Sequence, residues 1–216
     1  MIIDMPEQKL VEEFYKMEQL PQKNIDSAII KIVENKLGTP YRESLLRGIH
    51  DLETLEKEIL QEITKCNVSD DDKVIERIFH RIQIWGGRTG RYFYVKETNG
   101  DFSQIKETYK KLINACINIS GLTIEDCNGL AKAAIEYKIP NIGVSFITKH
   151  IRFWTYRKLG ENAYPIYDSI MAKNYYGKKA TFTNLPKYWW KMINDPKRYN
   201  SLMKYERQLF NSYHSL

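Results

Sequence analysis

Cysteine is scarce in this 216-residue chain: Cys66, Cys116 and Cys127 are odd in number and widely spaced. That excludes a disulfide framework and a Cys-x-x-Cys knuckle for zinc or an iron–sulfur cluster. The four histidines, His50, His80, His150 and His214, form no helical pair with a carboxylate between them, so a metalloprotease pattern is also missing. No apolar run approaches the roughly 20 residues of a membrane-spanning helix. The start, Met1-Ile2-Ile3-Asp4-Met5-Pro6, lacks the basic stretch, apolar centre and small-residue cleavage site of a secretion signal. These absences predict a cytoplasmic protein that uses no metal, no nucleotide cofactor and no membrane.

What the chain does have is unevenly placed charge. Of its 33 Lys and Arg and 27 Asp and Glu, residues 141 to 216 hold 13 and 4, a net charge of +9, and the preceding 140 residues are net −3. The basic part is interleaved with aromatics in Lys187-Tyr188-Trp189-Trp190-Lys191, Lys197-Arg198-Tyr199 and Lys204-Tyr205. This composition suits a phosphate backbone with exposed bases. It equally suits a lysine-rich solvated face over an aromatic core.

Apolar periodicity predicts an all-α, compact multi-helix domain, a single unit over 1–216 with lobes near 1–100 and 101–216 framing a cleft. Helices are expected over 7–20, over Ile25 to Leu37 with a stop at Gly38, and from Tyr41 to Ile63 with a break at Gly48. Ser69 is the expected cap of a helix ending at Trp85-Gly86-Gly87. Tyr92 to Val95 and the Asn99-Gly100 turn are the only strand material. Further helices are expected over Ser103 to Asn118, from a Thr123 cap with Asp126 in capping-box position, over Gly143 to Lys158, from Asp168 to about Tyr175, and from Pro186 onward.

Two constellations carry candidate chemistry. On a helix, Ser145, Lys149, Arg152 and Tyr156 form one polar stripe opposite Ile147, Ile151 and Trp154. A neighbouring cation or partial burial favours the neutral amine, the nucleophilic form of lysine. Asp168 follows 19 residues later in Tyr164-Pro165-Ile166-Tyr167-Asp168-Ser169, placed to cap a helix. Solvated lysine and simple cap are the plain structural alternatives for the pair. The second constellation is Trp85-Gly86-Gly87-Arg88-Thr89-Gly90-Arg91, where glycines permit close backbone approach, Arg88 and Arg91 could clamp phosphate, and Trp85 could stack on a base. It lacks the Lys-Ser/Thr ending of a P-loop. His150 falls on a different helix face from Lys149 and is not the expected base.

The run Val144-Ser145-Phe146-Ile147-Thr148-Lys149-His150-Ile151-Arg152-Phe153-Trp154, followed by Tyr164 to Ser169, resembles the lysine helix and aspartate loop of the helix-hairpin-helix superfamily of DNA glycosylases, in its bacterial 8-oxoguanine-DNA-glycosylase-like branch. Ile84-Trp85-Gly86-Gly87-Arg88 resembles a tryptophan-diglycine segment of that branch. The resemblance spans roughly 78–92 and 139–172. It departs at the hairpin, where the superfamily reads Leu-Pro-Gly-Val-Gly and this chain reads Ile139-Pro140-Asn141-Ile142-Gly143, several residues further from the lysine.

The resemblance implies a DNA glycosylase, with β-elimination lyase activity, acting as a monomer on DNA containing a modified base. It implies that Lys149 attacks the sugar C1′ and that Asp168 stabilises the developing positive charge. Trp85, Gly86, Gly87, Arg88, Arg91, Gly143, Ser145 and Arg152 then contact the DNA or the flipped base, with amides near Gly143 available to phosphate. A non-catalytic DNA-binding module and a helical protein-interaction scaffold are the alternatives.

Overall fold

A computed structural model describes residues 25–38, 45–95, 99–168, 172 and 180–195. Among the described residues the protein is helical, with no β-strand. The helices are α1 (Ser27–Leu37), α2 (Leu52–Lys65), α3 (Asp72–Trp85), the single turn α4 (Tyr92–Val95), α5 (Lys106–Ile117), α6 (Ile124–Glu136), α7 (Val144–Leu159) and α8 (Leu185–Asn194). Short 3-10 turns sit at Arg88–Arg91, Phe102–Gln104, Gly160–Asn162 and Phe182–Asn184. The expected helices over 7–20 and beyond Asn194, and most of the one after Asp168, lie outside the described residues.

Local sequence explains most boundaries. Asp26 accepts the Ala28 N–H at 2.8 Å to cap α1, and Gly38 ends it at φ 83. Gly48, at φ 73, interrupts the next stripe as expected, after which Asp51 caps α2 through the Thr54 N–H at 2.7 Å. Thr123 caps α6 through the Asp126 N–H at 3.0 Å. The Asp126 carboxylate reaches back further than a capping box requires, accepting the N–H groups of Ser120 and Gly121 at 2.9 and 2.8 Å.

Two expectations are corrected. Ser69 does not cap α3, which starts after Asp71. The Asn67 carbonyl accepts the N–H groups of Asp70 and Asp71, and the Asp71 carboxylate accepts the Asn67 N–H, so a turn occupies the stretch before the helix. Tyr92–Val95 is a helical turn instead of a strand. Phe93 and Tyr94 are adjacent and both buried, which strand alternation forbids on a one-faced sheet and a helical turn permits. Phe93 packs edge-on to Phe79 of α3 at 4.8 Å, and the Tyr94 hydroxyl meets His80 Nδ1 at 2.8 Å.

Helix α7 is the centre of the fold, packed against α2, α3, α5 and α6. Its Phe146, Ile147, Ile151, Phe153 and Trp154 are buried, each contributing about 1.5–3 kcal/mol for a side chain of this size. The buried side chains form one cluster from Ile25 to Trp189. Even polar residues of α7 are drawn in. His150 lies between the Tyr109 hydroxyl, 2.8 Å from Nδ1, and the Gln83 amide, 2.8 Å from Nε2. Trp154 Nε1 also donates to the Tyr109 hydroxyl at 2.8 Å, whose oxygen has lone pairs for two donors. The Gln83 amide nitrogen can only donate, so Nε2 accepts from it and the ring proton sits on Nδ1, directed at the Tyr109 oxygen. Burial, aided by the Lys149 charge, pushes His150 down to about 3, which holds it neutral.

Candidate functional site

Helix α6, a short turn and α7 bring the lysine to its place. Pro140 is followed by Asn141 at φ 63, and the Ile142 N–H returns to the Ile139 carbonyl at 3.1 Å. Pro followed by a left-handed residue is the signature of a type II turn. Asparagine tolerates that conformation best among residues with a side chain, so it stands here where a glycine would otherwise be expected. The two helices are thus joined by a tight turn despite the altered sequence. Gly143 is exposed at the head of α7, has open space where a Cβ would be, and provides no side-chain cap.

Lys149, in the second turn of α7, is half-buried. Its ammonium lies 4.5 Å from the Phe146 ring centre, 5.9 Å from that of Trp85, and Nζ donates to the Gly86 carbonyl at 3.4 Å. The tryptophan-diglycine segment and the lysine helix, some sixty residues apart in sequence, therefore meet. They meet through steric fit: a Cβ on Gly86 would sit well inside 3.0 Å of two Phe146 ring carbons. A Cβ on Gly90 would collide with the Gln83 carbonyl. The close approach that these glycines permit is thus to the protein's own interior. Gly87 differs, because its Cβ direction is open and its φ of 74 is what calls for glycine.

Asp168 ends the extended segment after α7. Its carbonyl accepts the Ala172 N–H at 2.9 Å, the first bond a helix cap makes. The Tyr167 N–H donates to Thr148 Oγ1 at 3.0 Å. Lys149 and Asp168 each come one residue after a partner in that bond.

The remaining expected residues divide. Trp85 is half-buried and edge-on to Phe153 at 5.0 Å, so one side of the indole belongs to the core. Arg91 stacks its guanidinium over Tyr92 at 5.3 Å, in the 3-10 turn it shares with Arg88. Ser145 is half-buried in the first turn of α7, and its carbonyl accepts the Thr148 hydroxyl. Arg152 departs from the expected open stripe. It is only 8% exposed, on a helix packed against α2, α3, α5 and α6. In α8, Tyr188 and Trp189 are buried, which leaves Trp190, 37% exposed, as the tryptophan of this segment at the surface.

Sequence reasoning missed Phe146 and Thr148. Thr148 had a signal: a hydroxyl on an apolar helix face must find a partner. The cysteines offer no nucleophile, since burial pushes Cys66 up to about 11, Cys127 up to about 12, and Cys116 further up. Among the described residues no helix is long and apolar enough to cross a membrane.

Among the described residues, fold and site define an all-helical protein with a half-buried lysine on its central helix, packed against Phe146, Trp85 and Gly86. No family model, curated protein or solved structure matches the chain.

Proposed function

We propose that the protein is a DNA glycosylase that excises a modified base by flipping the nucleotide and attacking its sugar with Lys149. The observation that carries this reading is the meeting of Lys149 with Trp85 and Gly86, which joins the two separate stretches of sequence that resemble the glycosylase superfamily. The bond from the Tyr167 N–H to Thr148, which ties the residue before Asp168 to the residue before Lys149, and the tight turn before α7 support it.

A base within a duplex is out of reach of any side chain, so the nucleotide is extruded and held in a pocket. The Lys149 ammonium gives a proton to water, and the resulting neutral amine adds to C1′ as the glycosidic bond breaks. The base leaves with the bonding pair and takes up a proton from water, and the amine gives its proton to Asp168. The Asp168 carboxylate also stabilises the positive charge that builds on the sugar ring. Ring opening leaves a Schiff base on Lys149, from which β-elimination cleaves the strand. Arg88, Arg91 and the amides at the head of α7 hold phosphates on either side.

The test is release of free base from duplexes carrying a panel of oxidised, alkylated and deaminated bases. Wild type releases at least one of them, and Asp168→Asn, which keeps an oxygen for capping, slows that release by about a hundredfold or more. No release from any duplex, with DNA binding intact, would leave a DNA-binding module without turnover.

A further inference from the structure

Ala163 to Asp168 is an extended segment with no sheet to pair with, and its residues up to Tyr167 are buried. Buried backbone polar groups need partners, and here side chains of two helices supply them. From α7, Thr155 Oγ1 accepts the Tyr164 N–H at 3.2 Å and Thr148 Oγ1 accepts the Tyr167 N–H at 3.0 Å. From α8, Trp189 Nε1 donates to the Pro165 carbonyl and the Tyr188 hydroxyl to the Ile166 carbonyl, both at 3.0 Å. Tyr188 also stacks on Tyr167 at 4.3 Å, and Trp189 meets Tyr164 edge-on at 5.1 Å. The segment is clamped from both sides, and Thr148 is the clamp nearest its aspartate end.

Thr148 is itself fixed. Its hydroxyl donates to the Ser145 carbonyl at 3.0 Å, so the lone pairs that remain are what Tyr167 can use. The threonine directly precedes Lys149, and the amide it holds directly precedes Asp168. A slip of one residue in this register would send Asp168 elsewhere. We propose that Thr148 is a positioning residue, setting the Asp168 carboxylate against the Lys149 amine, with Tyr188 bracing the segment from the opposite side. This rests on the glycosylase reading and adds a residue to it. Proton transfer and charge stabilisation both depend steeply on placement, and a displacement near 1 Å can cost about a hundredfold in rate.

The experiment is single-turnover covalent trapping under borohydride, using a duplex with one abasic site. The Lys149 amine condenses there with the sugar aldehyde, water leaves, and hydride reduces the imine to a stable secondary amine. The expected result is that Thr148→Val, which keeps the shape and removes the hydroxyl, traps about tenfold to a hundredfold more slowly at saturating DNA. Its half-saturating DNA concentration stays unchanged, and Thr148→Ser traps within about threefold of wild type. Tyr188→Phe, which keeps the ring and removes one clamp, traps at least about threefold more slowly and gives the answer should Thr148→Val not fold. Wild-type trapping rates in both Thr148→Val and Tyr188→Phe overturn the positioning role while leaving the glycosylase reading intact, as does a Thr148→Ser protein as slow as Thr148→Val. No Lys149-dependent trapping by wild type overturns both.

Discussion

The Phe146 ring occupies the place where a side chain of residue 86 would begin. Gly86 has an ordinary right-handed backbone, with φ −68, so an alanine there meets no conformational strain and is opposed chiefly by the ring, with the Ile82 carbonyl oxygen at 3.3 Å. Gly86→Ala should therefore destabilise by overpacking, about 1–3 kcal/mol, and should push Phe146 away from the Lys149 ammonium. Gly87→Ala provides the contrast, costing about 1–2 kcal/mol through its left-handed φ alone and leaving Phe146 in place. Urea unfolding gives both costs, and the Phe146 ring resonances show whether only the first substitution moves it.

The buried histidines set a pH dependence. Desolvation lowers both His80 and His150, the latter to about 3, whereas an unfolded chain titrates its histidines near 6.5. Between those values the unfolded state binds more protons, so stability is complete above pH 6.5 and falls as pH drops through that window. The slope is about 1.4 kcal/mol per pH unit for each such histidine. Urea midpoints measured from about pH 7 to 5.5, above the range where most carboxylates titrate, should fall steadily. A flat profile would mean that these rings reach water.

The turn before α7 makes its own prediction. Asn141 holds φ 63 between Pro140 and Ile142. Asn141→Gly should be neutral or gain a few tenths of a kcal/mol, while Asn141→Val, β-branched in a left-handed position, should cost about 1–3 kcal/mol. Thermal unfolding of the two variants checks this. Equal effects would show that the turn has room to change type.

Much of this was legible in the sequence. The helices, the breaks at Gly38 and Gly48, and the Thr123 cap followed from apolar period and cap chemistry, which act over a few residues. Ser69 misled because Asn67 and Asp71 build a competing turn within the same reach. Tyr92–Val95 misled because aromatic composition suggests a strand, yet Phe79 and His80 await both rings on one side. Arg152 and the Tyr188-Trp189 pair were harder still. Whether a basic or aromatic side chain is a surface contact or a core member depends on which distant helix covers it, and local spacing carries no record of that. The Lys149 to Asp168 spacing was visible, while the Thr148 bond to the residue before Asp168 needed the fold.

The glycine–arginine turn can be tested apart from chemistry. Neutralising Arg88 and Arg91 together should weaken binding to every duplex, whatever base it carries. It should also reduce the slope of log affinity against log salt by about one unit per lost phosphate contact. Trp190→Ala, at the exposed face of α8, serves as an uncharged comparison and should leave the slope unchanged. Unaltered slopes in the arginine variant would place the DNA on another face.

The account stands most directly on where the covalent bond forms. Protein trapped by borohydride on a modified-base or abasic duplex, digested and read by mass spectrometry, should carry the reduced sugar on Lys149, and Lys149→Gln should fold, bind DNA and trap nothing. An adduct on another lysine, or undiminished trapping by Lys149→Gln, would contradict it.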